Sequence, residues 1–560
     1  MFRLLAFRLL LLTKFVLITL GNEICYFYYT GVDESFCKET NATDLKEAIR
    51  TSILSTIKPK QINSLTINSL NLTSINPAAF DKLRNLTFLT ITNTTIKELF
   101  QRYFWKVKSL RHLHLWYDNI SAIEKRAFLK LKLLEHLDLS HNSLRYVRRG
   151  WFLGLNKLER FNLSYNLIRT IEENLFKGLF SPFCRIKLNN NKISVLGTGM
   201  FNSTIAIELN LSYNSIYRIF DKCFENSFID LLDLSNNKLF RIDSEAFINF
   251  EVKELNIMNN KLILYEGIFK FLKTLLDLNL NNNGLQKLDG SYFKELSNLN
   301  HLFLHGNNIS FITNYSFMGL RNLTVLWLSK NRIKHIIDDW FVELESLKYL
   351  HLDSNFLYTI HSEIFPYLSR LRFLDLSENN FSVLPFNKTS YENLVNVQYL
   401  LLGYNKLKTL SRGSFQIFDT EKEFDVLALH NNEIDVIETG AFKGIKKINY
   451  LQLQNNKIRF IEVGAFDGID SVYMIYLQNN LIESIGELTH LPTCTVVLLQ
   501  DNTLLEKSDI ILNGLNMQKV KYIIFRRFYY RKVNKKWKYY NFSYPYDVYW
   551  LNGEGKKQLE

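Results

Sequence analysis

The chain of 560 residues carries a formal net charge of +13 and five cysteines. Five cysteines are too few to staple a chain of this length, which excludes a disulfide-dense scaffold. Beyond the leader no apolar run approaches the roughly 18 residues of a membrane span. The basic excess is local, with nine Lys/Arg in residues 519–540 and three in the leader, so the remainder is close to neutral.

The first twenty residues, MFRLLAFRLLLLTKFVLITL, place Arg3 and Arg8 ahead of a leucine-rich run that ends near Gly21. That is the layout of a secretory signal peptide over residues 1–21, and the polar C-terminus LNGEGKKQLE excludes a lipid-anchor signal. The expected location is the extracellular space. Fourteen Asn-x-Ser/Thr acceptor sites agree with it, among them Asn41, Asn71, Asn85, Asn162, Asn202, Asn210, Asn322 and Asn387. Residues 22–59 read as an N-terminal cap, in which Cys25 and Cys37 would pair in an oxidising compartment. Cys184 and Cys223 fall at different phases of the pattern that follows, so no bridge is expected between them. Cys494 takes a leucine's place in that pattern.

Between about residues 60 and 505 the skeleton L-x-x-L-x-L-x-x-N-x-I/L recurs, most often every 24 residues, with a phenylalanine ten residues after the asparagine. LEHLDLSHNSLRYVRRGWFLGL at 134–155 and LTVLWLSKNRIKHIIDDWFVEL at 323–344 share it while the letters between differ. Upstream the asparagine slot holds Leu70, Thr94 and Asp118, which gives nineteen units in all. The L-x-L alternation is a period-two strand with leucines inward. One unit cannot bury its leucine face alone, but stacked neighbours can. An asparagine amide offers both donors and acceptors, suited to turn groups otherwise buried unpaired.

This skeleton resembles the leucine-rich repeat family, in its extracellular type of about 24 residues, similar to the ectodomains of Toll-like receptors and to secreted members. The resemblance implies an α/β solenoid, a right-handed horseshoe with a parallel β-sheet on its concave face. The family's four-cysteine C-terminal cap is absent, so residues 506–560 would cover the second end. Two longer units, around LPFNKTSYENL and QIFDTEKEF, are expected to loop out away from the sheet.

Motifs for chemistry are missing. No phosphate-binding glycine loop, nucleophile elbow, H-E-x-x-H or paired CxxC is present, and no site gathers an acid, a base and a nucleophile. Neither catalysis nor a cofactor is expected. His112, His114, His136 and His141 fall on or beside strands about 4.8 Å apart. They read as a solvated polar strip rather than a zinc site.

In the implied architecture the outward strand residues form the concave face. They divide into a basic zone with histidine, an acidic zone with asparagine, and an aromatic zone. Glycans on Asn162 or Asn210 would obstruct the first two. The third carries Phe303, Trp327, Tyr349, Phe373 and Tyr399 on five consecutive strands, about 20–25 Å across, with His351 and Tyr404 beside them. Contiguous exposed aromatics mark interaction surface, and Trp and Tyr dominate binding energy at interfaces. Residues 301–404 are therefore expected to hold an extracellular protein ligand, or to build a homodimer or heterodimer. The tail, KYIIFRRFYYRKVNKKWKYY, interleaves aromatics with Arg526, Arg527, Arg531, Lys532, Lys535 and Lys536. Nucleic acid is a poor partner outside the cell. Glycosaminoglycan or a membrane surface suits such a tail, as does a plain cap over the last coil. The resemblance implies a secreted recognition protein of innate immunity or cell adhesion, or else a matrix protein, a growth-factor carrier or a shed receptor ectodomain.

Overall fold

The computed structural model describes residues 16–20, 23–30, 32–38, 62–68, 72–177, 181–336, 338–386, 394–415, 422–483, 491–503, 520–525, 528–533 and 536–541. The chain divides into two compact units. The first is Met1–Gly284 with Glu295–Leu299, and the second is Leu285–Lys294 with Asn300–Glu560.

In the first unit each repeat contributes one strand to the main sheet, from Ser64–Asn68, Phe88–Thr92 and His112–Trp116 through Arg160–Asn162 and Ser227–Asp233 to Asp277–Asn279, and most add a two-residue strand to smaller sheets, as Glu98–Leu99 does with Ala122–Ile123. Each of these strands pairs in parallel with the next. Leucine alternation decides which way the side chains face: Leu137 and Leu209 are buried while their strand neighbours are not. Ahead of these strands, Glu23–Thr30 and Val32–Lys38 pair antiparallel with Cys25 opposite Cys37, and Val32–Lys38 runs parallel to Ser64–Asn68. Val16–Leu20, within the stretch expected to be a leader, pairs antiparallel with Glu23–Thr30.

The second unit repeats the pattern in His301–Phe303, Val325–Trp327, Tyr349–His351, Phe373–Asp375, Tyr399–Leu401, Lys422–Ala428, Ile445–Gln452, Ser471–Tyr476 and Thr493–Leu498. Val520–Phe525 adds one more parallel strand, and Phe528–Val533 and Lys536–Asn541 follow it antiparallel.

Asparagine closes most turns. In the first unit Asn166 Nδ2 donates to the carbonyls of Leu139 and Leu163 at 2.9 and 3.1 Å, and its Oδ1 accepts the Leu144 N–H at 3.0 Å. Asn331 does the same in the second unit, donating to Leu304 and Leu328 at 3.0 and 2.9 Å and accepting from Ile309 at 3.0 Å. One side chain thus serves backbone groups of two turns, all of them out of reach of water. The residue just before the asparagine takes the left-handed conformation at turn after turn, as at Asn190, Asn259 and Asn455 with φ of 56, 56 and 59°. Asparagine tolerates that region better than other side chains.

A second internal column is the phenylalanine slot. Phe201, Phe224 and Phe247 stack at 5.5 and 6.1 Å between ring centres, and Phe415, Phe442 and Phe466 at 5.6 and 5.4 Å. Each such ring is fully buried and contributes about 1.5–3 kcal/mol.

Each unit is thus a parallel-strand solenoid, with a turn count close to the one read from sequence. The helical component of the expected α/β solenoid is smaller than the fold class implied. Among the described residues the return paths hold 3-10 turns, such as Pro77–Phe80, Gln101–Phe104 and Ser362–Leu368, and no α-helix. Their backbone donors close i to i−3 bonds, as Tyr103 N–H does to Phe100 O at 3.1 Å and Leu129 N–H to Arg126 O at 3.0 Å, and some reach the neighbouring turn, as Arg126 N–H does to Gly150 O at 2.7 Å.

Cys184, Cys223 and Cys494 are free and buried. Burial pushes the thiols of Cys184 and Cys494 up to about 12, which makes them core side chains without nucleophilic character. The middles of the two long units, residues 387–393 and 416–421, lie outside the described residues. Beside them Lys422 Nζ donates to the carbonyls of Leu394 and Val395 at 3.3 and 2.6 Å and to that of Val397. Burial lowers this lysine to about 8.

Candidate functional site

The register of the second unit sets out two outward columns. His301, Val325, Tyr349, Phe373 and Tyr399 share the first; Phe303, Trp327, His351, Asp375 and Leu401 share the second. The aromatic stripe therefore does not follow one column. It descends the second from Phe303 to Trp327 to His351, with ring centres 6.0 and 5.1 Å apart. It then crosses to Phe373 in the first column, 4.8 Å from His351, and ends at Tyr399, 5.9 Å further on. Tyr349 flanks the crossing, 6.3 Å from Phe373.

Mutual packing leaves these rings half-buried, except Tyr349, which is 40% exposed. Burial also raises the Tyr399 hydroxyl above its ordinary range, with Asp425 adding to the effect. The Trp327 indole is held in place: Nε1 donates to Ser329 Oγ at 2.6 Å, and Ser329 Oγ donates onward to Asp353 Oδ1. Tyr404 does not join the stripe. It occupies the left-handed position before Asn405, with φ 55°, and meets the edge of His430 at 5.4 Å.

Sequence reading missed His305, whose ring lies 5.6 Å from Trp327, and the roles of Ser329 and Asp353. It also ended the apolar face too early. The same columns continue through Val426, Tyr450 and Met474, and Tyr450, Met474 and Val496 pack on Tyr476 and Leu498. Reading the outward strand residues of the units beyond Tyr399 finds them.

The first unit's outward face is built differently. Asn162 Nδ2 donates to Asp138 Oδ2 at 3.0 Å, while its own Oδ1 accepts the Ser164 N–H at 3.0 Å. Asn210 accepts from Ser212 N–H in the same way, and Arg185 pairs with Glu208 at 4.0 Å. The two outward acceptor asparagines are thus already engaged in hydrogen bonds. Asn202 accepts from Ser203 Oγ at 2.9 Å, and Asn85 and Asn322 are exposed. Asn41, Asn71 and Asn387 lie outside the described residues.

Nor do the four histidines converge. His112 and His136 meet Nδ1 to Nδ1 at 2.9 Å, so one carries the proton and the other accepts it. Burial, then the neighbouring His112, brings His136 down to about 4. His141 stands apart, stacked between Tyr117 and Tyr165 at 4.2 and 4.3 Å.

In the tail, Arg531 and Lys532 lie on Phe528–Val533 and Lys536 begins the last strand, with Arg531 opposite Lys538. Arg526, Arg527 and Lys535 lie outside the described residues.

A main sheet fed by one parallel strand per turn, an internal asparagine ladder and a stacked phenylalanine column define a leucine-rich solenoid. The family model described as Leucine rich repeat matches residues 60–120, 108–168, 144–181, 273–333, 321–381 and 423–482. The chain belongs to the leucine-rich repeat family, and its repeats form a protein-interaction domain. No curated protein matches it.

Solved structures share the fold. A leucine-rich repeat protein of Leptospira interrogans is 22% identical over 75% of this chain and 95% of its own, with a TM-score of 0.52. The Toll–Spatzle complex of Drosophila, in its glycosylated form, is 20% identical over 84% of this chain and 69% of that chain, with a TM-score of 0.63. A further structure of that complex is 15% identical over 91% of both chains, with a TM-score of 0.55. No helix among the described residues is long and apolar enough to cross a membrane.

Proposed function

We propose that the chain is a secreted recognition protein that captures a protein partner on the aromatic stripe of its second unit, without catalysis. The observation that carries this reading is the unbroken series of ring contacts from Phe303 to Tyr399 on an outward sheet face. Rigid aromatic rings present large contact area at low entropic cost, and such rings supply most interface hot spots. The hydrogen-bonded relay behind Trp327 supports the same reading, because an oriented indole needs no ordering on binding. The Toll–Spatzle complex is described as a molecular hub in Drosophila development and innate immunity. Sharing its fold supports an extracellular recognition role, to which the leader and the acceptor asparagines add.

The test is affinity capture from extracellular fluid with the wild-type chain and with the double variant Trp327→Ala, Tyr349→Ala. Each truncation of such an anchor costs about 2 kcal/mol or more, so the pair should weaken capture by roughly 1000-fold with the unfolding midpoint unchanged. Equal affinity of the two proteins for the captured partner would overturn the assignment. Light scattering of the free chain separates a homodimer from capture of another molecule.

A further inference from the structure

Beside the stripe lies a group of side chains with chemistry that aromatic contact does not use. His351 ends the strand Tyr349–His351, Asp353 follows two residues later, and Asp375 faces His351 across the sheet register. Ligand-capable atoms of the three residues all lie within 4.8 Å of one another. Asp353 and Asp375 are only 8% and 6% exposed. Two carboxylates brought this close in a poorly hydrated place repel one another, and a divalent cation between them reverses the sign of that interaction.

The donor set narrows the ion. One imidazole nitrogen with two carboxylate oxygens suits zinc and neighbouring divalent transition metals, whereas calcium and magnesium favour all-oxygen sites. The surroundings are those of oriented ligands. Ser329 Oγ donates to Asp353 Oδ1, and the Ser377 N–H donates to Asp375 Oδ1 at 3.0 Å. Such bonds hold a carboxylate in a fixed orientation, as the outer partners of metal ligands do. Trp327 and Phe373 pack on the His351 ring at 5.1 and 4.8 Å, which fixes the imidazole plane. No motif announces the site, since its ligands come from two turns that only the fold brings together.

We propose that His351, Asp353 and Asp375 bind one divalent transition-metal ion of the zinc class, leaving a coordination position for water or for a partner's carboxylate. The site stands whether or not the stripe captures a protein. Zinc, calcium and magnesium should be titrated separately into the chelator-treated full-length chain by calorimetry. Zinc should bind with a stoichiometry of one and raise the melting temperature, and calcium and magnesium should do neither. Asp375→Asn and His351→Ala should each weaken zinc binding by at least about tenfold, while the double variant His112→Ala, His136→Ala leaves it unchanged. X-ray absorption of the wild-type zinc complex supplies a readout that does not depend on any variant folding, and it should fit a single imidazole with oxygen donors. Absence of stoichiometric zinc binding, two or more imidazoles in the spectrum, or loss of binding only in the His112/His136 variant would each overturn the site.

Discussion

The two units share an interior and differ on their outward faces. Inside, Asn166 and Asn331 make the same bonds to the same backbone groups, one unit apart from the other in sequence and nearly superimposable in distance. Outside, the first unit spends its polar residues on one another, as in Asn162 with Asp138 and Arg185 with Glu208. The second unit instead lays rings side by side. The repeat therefore fixes stability and leaves the face open to choice. A face whose hydrogen bonds are already made has less to offer a partner than one of oriented, partly exposed rings.

Six substitutions sharpen that contrast. The largest effect is expected in the interior and should be blind to the unit: Phe224→Ala and Phe442→Ala should each cost about 3–5 kcal/mol in urea unfolding. A large inequality between them would break the claim of a common interior. Next come the ladder residues. Asn166→Ala and Asn331→Ala should each cost about 1–3 kcal/mol, because buried carbonyls and an N–H lose their partner.

Asp118 is the instructive exception, of similar size and opposite sign. It fills the asparagine slot and accepts from the Thr94 N–H and hydroxyl at 2.9 Å each. Its Oδ2 is buried without a hydrogen bond among the described residues, and burial holds the carboxyl at about 7 against 3.8 in an open chain. The folded state therefore takes up the proton more readily. The stability linked to this group is complete below pH 3.8 and lost as pH rises through about 7. Asp118→Asn should add about 1–3 kcal/mol at pH 7.5 and less at pH 5. Unfolding curves at the two values would show the difference, and an equal gain at both would contradict it. The smallest effect is on the first unit's face, where Arg185→Ala should change stability by less than about 1 kcal/mol and leave partner capture as it was.

Much of this was legible in the sequence because one residue type at a fixed spacing implies one environment. Leu137, Phe224 and Asn331 each sit where their slot said they would. The return paths were not legible, since nothing in WFLGL or AFKGI separates a 3-10 turn from a short α-helix. Trp327, Tyr349 and Phe373 were found as outward residues, yet the crossing between columns depends on the strand register. Tyr404 takes the left-handed position before Asn405 and meets His430, a contact that spacing alone does not show. His351 was read as part of the aromatic face, and Asp353 and Asp375 were not joined to it, because no short motif links residues that meet across two strands.

The asparagine that bridges two turns carries one more implication. Among the described residues, junction after junction from Asn142 onward is stitched by the same set of bonds, so a whole turn there could be deleted or duplicated and the cut edges would still match. Length is then an adjustable quantity in this molecule, changed in steps of about 4.8 Å. A lineage could lengthen its grip on a larger target without redesigning a single joint.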